Sequence, residues 1–219
     1  MRGRSCQILR SATPEGPYQP FSPPITPKGW HCLDGHLFFG ESEPCIVFCR
    51  EWTEVEDGQM YCARLSYDLS CMVGDPVLLF HASDAPWTTS IRETENRFVT
   101  DGPFLWQSRA TKELLMLWSS FKDGVYCIGI ARSCSGSVFG PWTHDTEPIL
   151  EEDGGHCMLF RLPAACPPLW DGSGLPPLIM ALHQPNANPM RSRAMLYLVK
   201  EEIVDGKCHL KVDGSKRIH

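Results

Sequence analysis

Short apolar runs and turn residues alternate along the whole chain. The runs "PCIVFCREW", "QMYCARLS", "PVLLFHA", "ELLMLWSSF", "VYCIGIARS", "LIMALHQ" and "RAMLYLV" are rich in β-branched and aromatic residues and are bounded by Gly, Pro, Asp and Ser clusters. That is the pattern of β-strands joined by turns. No stretch keeps a 3.6-residue apolar period long enough for a helix of ordinary length. The pattern predicts an all-β chain.

The runs recur. "ILRSATPEGPYQPFSPPI", "ARLSYDLSCMVGDPVLL" and "IARSCSGSVFGPWTHDTEPIL" each read strand, Arg (with Ser close behind), polar turn, Gly-Pro or Asp-Pro, strand. Their anchor arginines are Arg10, Arg64 and Arg132. A second pattern of acid, Gly, strand, turn, strand comes before two of these, in "LDGHLFFGESEPCIVFCREW" and "TDGPFLWQSRATKELLMLWSSF". "GGHCMLF" opens a third copy with His in place of the acid. Four strands in a repeat of about 40–50 residues or more describe a β-propeller blade. The expected divisions are outer strands of an incomplete blade at 1–25, blades at 26–85, 95–148 and 149–205, and a C-terminal tail at 206–219. Adjacent blades bury each other's faces. Three and a half blades therefore lead us to expect that an N-terminal part of a larger ring precedes this sequence. The register places Asp34, Asp101 and His156 equally in three repeats, at the start of the strand that lines a propeller's channel.

Composition narrows the function. Of 219 residues 42% are hydrophobic and 21% charged, which suffices for a packed core. The formal net charge of -6 argues against a nucleic-acid partner. No apolar run is long enough for a membrane helix, and "MRGRSCQILRS" is not a signal peptide. Eleven cysteines without a CxxC pair read as small buried thiols rather than zinc ligands, and lean towards a reducing, cytoplasmic setting.

The stretches "CLDGHLFFGESEPCIVF", "TDGPFLW" and "GGHCMLF", in this order and at blade spacing, resemble glycoside hydrolase family 43, the five-bladed propellers that include arabinosidases and xylosidases. The resemblance covers nearly the whole chain. It implies an inverting glycosidase acting on plant-type arabinose- or xylose-containing glycans. Residue by residue, it implies Asp101 as the general acid and Asp34 as the carboxylate that orients it and raises its pKa. It implies His156 near the axis, holding one calcium or sodium ion through water. Arg193 is implied as a substrate contact, with Arg191 as the alternative, and Trp87 is a candidate platform for a sugar ring, with core or rim packing as the competing reading. The family's general base lies in a blade this sequence does not contain, so the resemblance implies impaired hydrolysis by this chain. Asp75 in "GDPV" aligns with the outer Gly-Pro turns and is not that base. Asp stands at 101 where the best-known members carry Glu. Without the resemblance, Asp34 and Asp101 read singly as turn residues before glycine. The competing function is a non-catalytic carbohydrate-binding propeller. A protein-interaction propeller would carry WD-type signatures, and none is present.

Overall fold

The computed structural model describes residues 3–40, 43–92, 94–162 and 176–218. Strands β1 (Gln7–Arg10) and β2 (Gln19–Pro24) form a hairpin. Three four-stranded antiparallel sheets follow. The first holds β3 (Cys32–Phe39), β4 (Pro44–Arg50), β5 (Gln59–Leu65) and β6 (Met72–His81). The second holds β7 (Asp101–Gln107), β8 (Leu114–Lys122), β9 (Val125–Ser133) and β10 (Trp142–His144). The third holds β11 (Gly155–Arg161), β12 (Leu178–Gln184), β13 (Arg193–Val204) and β14 (Lys207–Ile218). Each is a meander, its first strand at one edge and its last at the other. A single helical turn, α1 (Trp52–Val55), joins β4 to β5.

Second strands β4 and β8 are buried along almost their whole length. Their continuous apolar runs follow from having a neighbouring sheet on each face. Three apolar clusters fill the gaps in turn. Ile8 and Ile25 of the hairpin pack with Ile46, Phe48 and Leu65 of the first sheet. Val47, Met60 and Phe80 pack with Met116 and Trp118 of the second. Leu117, Ile128 and Ile130 pack with Leu159, Met180 and Tyr197 of the third. The core is thus a series of layers between sheets, as stacked blades require.

The three Arg-anchored repeats are the outer hairpins β1–β2, β5–β6 and β9–β10. Residues 206–219, expected as a tail, instead supply β14, which pairs with β13 from Leu196↔Ile218 to Val204↔Lys207. Its many charged residues hid a strand that needs burial on one face only. The proline-rich insertion of the last blade falls mostly at 163–175, outside the described residues. Among the described residues no helix is long and apolar enough to cross a membrane.

Candidate active site

The first strands of the three sheets share one irregularity. In β3 the pairing steps from Leu33↔Cys49 to His36↔Val47. In β7 it steps from Asp101↔Ser119 to Phe104↔Leu117. In β11 it steps from Gly155↔His183 to Met158↔Ala181. Each step inserts one extra residue, a β-bulge, and bulges re-aim side chains. The residue at the bulge is left-handed in all three: Asp34 (φ 57°), Gly102 (φ 48°) and His156 (φ 52°). Asp and His tolerate that region better than most residues.

This corrects the expected equivalence. Asp34 and His156 occupy the same place, but the matching residue of the second blade is Gly102, and Asp101 stands one position earlier. A side chain at 102 has no room, since a Cβ there would lie 2.7 Å from the Cα of His156. His156 crosses over Gly102, and the acid comes from the residue before it.

The three side chains nevertheless converge. One ligand atom from each of Asp34, Asp101 and His156 lies within 4.8 Å of the others, the one such group of three among the described residues. Nδ1 of His156 is 3.6 Å from Oδ1 of Asp101 and 4.0 Å from Oδ2 of Asp34. The Gly102 N–H donates to Oδ2 of Asp34 at 3.1 Å. The Tyr126 hydroxyl donates to Oδ2 of Asp101, and Ser119 Oγ accepts from the His156 N–H at 2.9 Å.

Burial, then the hydrogen bond and charge of Asp101, raise Asp34 to about 8. Burial also pushes Asp101 upward, but hydrogen bonds with His156, Asp34 and Tyr126 outweigh it and hold Asp101 well below the usual carboxylate range. The bond to Asp101 raises His156 against the effect of its burial. The pair therefore shares one proton, and at rest that proton sits on Asp34. The resemblance implied the reverse, a raised pKa on Asp101. The difference arises because Asp101 has two donors of its own.

Stability should record this. Asp34 ionises above about pH 4 when unfolded but keeps its proton in the fold up to about 8. The folded state holds more protons across that window, so stability falls as pH rises through it and levels off above. Asp101 acts in the opposite sense, but only below about pH 4. His156 loses stability above its ordinary pKa in parent and variant alike, because Asp101, its main partner, is retained. Asp34→Asn should match the parent's melting temperature near pH 4 and exceed it at pH 8, on the order of 10 °C. A constant difference between the two pH values in calorimetry would refute the proton assignment.

Two expected residues stand elsewhere. Trp87 is 3% exposed. Its indole fills the space above Gly129, where a Cβ would lie 2.3 Å from Trp87 Cζ2, and it packs on Trp118. It is a core residue and not a sugar platform. Arg193 begins β13, two strands out from the site end of β11, and is exposed, its Nη1 donating to the Ser192 carbonyl at 3.4 Å. Arg191 is likewise exposed, in the preceding turn. Sequence reading did not single out Tyr126 and Ser119. A tyrosine inside "VYCIGIA" must find a hydrogen-bond partner if buried, and that was the available signal.

The family description "Glycosyl hydrolases family 43" matches residues 2–158. A search of curated proteins gives no match. Among solved structures, the endo-arabinase from Bacteroides thetaiotaomicron is 40% identical with a TM-score of 0.79, covering 94% of this chain and 68% of that one. A thermostable family-43 glycoside hydrolase is 24% identical (TM-score 0.71), covering 96% of this chain and 66% of its own. An endo-1,4-beta-xylanase from Bacteroides thetaiotaomicron is 20% identical (TM-score 0.69), covering 98% and 69%. The latter two establish the fold, that of a partial propeller. The chain thus spans 66–69% of the length of these solved chains. With a family match over most of its length and 40% identity to a solved relative, this chain belongs to glycoside hydrolase family 43.

Proposed function

We propose that the chain carries the acid half of an inverting glycosidase site, acting on arabinose- or xylose-containing polysaccharides of plant type. The observation that carries this reading is the meeting of Asp34, Asp101 and His156 from three separate blades, with ligand atoms within 4.8 Å. Relatives described as an endo-arabinase and an endo-1,4-beta-xylanase support the substrate class.

Carboxyls this close cannot be the acid and base of inversion, which stand about 6.5–9.5 Å apart to admit a water. They suit an acid and its proton-sharing partner. Asp101 is the more exposed of the two, 27% against 15%, which suits it to be the one that meets the glycosidic oxygen. Asp34 stores the proton and passes it through Asp101 to the leaving oxygen as the C–O bond breaks. Water attacks the opposite side of the sugar and gives its proton to a base outside this cluster. Arg193, on the site end of the last blade, contacts the substrate further out.

A calcium or sodium ion at the axis belongs to the same proposal. Nδ1 of His156 is turned to the carboxylates, so Nε2 of this half-exposed ring is the atom left to hold an ion through water. Such an ion would supply positive charge beside the carboxyl pair.

The test is incubation with arabino- and xylo-oligosaccharides, with formate supplied as external base because the water's base lies outside this cluster, and with the first-formed anomer followed by proton NMR. Release of sugar with inverted configuration is expected. Retention would overturn the reading. Saturable binding without release, with formate present, would favour the carbohydrate-binding alternative.

A further inference from the structure

We infer that Tyr126 is a positioning residue for the acid, and that the last blade sets the acid's orientation through it. The inference rests on the reading of Asp101 given above. Tyr126 belongs to the second blade, on β9, yet its ring is held largely by the third. Gly155 opens β11 without a side chain, and a Cβ there would lie 2.2 Å from Cε1 of Tyr126. The ring of His183, on β12, stacks on Tyr126 at 5.6 Å and 29°. His183 is itself fixed, its Nε2 3.2 Å from Oδ1 of Asn186. On its own blade Tyr126 meets Phe121, 5.1 Å between ring centroids. The ring is 1% exposed, and its hydroxyl reaches Asp101.

These contacts leave the phenol little freedom, so its O–H is a fixed donor. A donor on Oδ2 decides which oxygen of Asp101 remains for the glycosidic oxygen, and supporting contacts of this kind hold a site within the tolerance that catalysis needs. The second glycine of "GGHC" acquires a reason as well. It admits the ring that holds the acid, beside the histidine that pairs with it. Tyr126 does not touch the reacting atoms; it acts through Asp101.

The experiment compares Tyr126→Phe with the parent on alkyl and dinitrophenyl glycosides of the same sugar, with formate present as an external base. The phenyl ring keeps the packing and loses only the hydroxyl. Expected is a fall of about tenfold or more in kcat on alkyl glycosides, with KM unchanged and dinitrophenyl turnover nearly unaffected. A residue that only supports the fold would lower both rates together, and that result would overturn the inference. Replacing Tyr126 with 3-fluorotyrosine keeps ring and hydroxyl and should restore most of the loss. Asp101→Asn is run beside these variants. If it too is indifferent to the leaving group, the acid reading fails and not the role of Tyr126 alone. Independently of turnover, carbon NMR of aspartate-labelled protein should show the Asp101 carboxyl resonance, identified by its absence in Asp101→Asn, displaced in Tyr126→Phe. An unmoved resonance in a folded variant refutes the contact.

Discussion

Asp101→Asn is expected to slow hydrolysis of alkyl arabinosides or xylosides by about 10²–10⁴-fold, the range one general acid supplies. Asparagine keeps the planar shape and can still accept from Tyr126, so folding should be unaffected. What it lacks is a proton of suitable acidity. The loss should therefore shrink towards unity for dinitrophenyl glycosides, whose leaving group departs as a stable anion. The base is the second half of the same prediction. Asp34 and Asp101 lie within 4.8 Å, closer than the acid and base of an inverting site stand. The base that activates the water therefore belongs outside this trio. Millimolar to molar formate or azide should then raise turnover by the 219-residue chain on dinitrophenyl substrates, and should do so in the Asn variant too. Equal rates for parent and Asp101→Asn on alkyl glycosides would reduce "VTDGPFLW" to a turn and a strand.

Much of this site was legible because propeller repeats print their geometry in the sequence. An acid or His before a strand, in three copies, marks three neighbouring strand starts near one axis. What the copies could not show is the offset at Asp101. A bulge is a mismatch between two strands, and one strand's sequence does not reveal where its partner slips. Gly102 carries the only trace, since the left-handed residue is the glycine itself and the acid precedes it. Trp87 stood open between core and sugar platform for a related reason. Its place is fixed by the hollow above Gly129, 42 positions later in the chain, and periodicity is blind to such a pairing. The proton's location was out of reach altogether. It depends on Tyr126 and His156 donating to Asp101 and not to Asp34, a matter of tenths of an ångström between blades.

The anchor arginines show how one repeated residue takes unequal weight. Arg64 and Arg132 occupy matching positions on third strands, and each reaches the outer part of the next blade. Arg64 is 49% exposed, bound to Glu43 at 3.0 Å and stacked on Phe139 at 4.2 Å. Arg132 is 11% exposed. Its Nε and Nη2 grip both oxygens of Asp145 at 2.6 and 2.9 Å, and its Nη1 reaches Glu113 at 3.3 Å and the Cys208 carbonyl at 2.9 Å. Glu113 closes the loop by accepting from the Cys208 N–H at 2.6 Å. The clamp ties the second blade to β14 of the third. Removing one partner of a buried ion pair costs about 3–5 kcal/mol, because the other charge stays behind. Asp145 and Glu113 reach water at their edges, 29% and 24% exposed, and can partly rehydrate. The lower end of that range applies, about 3 kcal/mol, or roughly 6–12 °C in melting temperature for a chain of this size. Arg132→Met should show that loss in thermal unfolding. Arg64→Met should cost under about 1 kcal/mol, as exposed pairs do. Equal losses for the two substitutions would mean that burial does not decide the strength of this repeated contact.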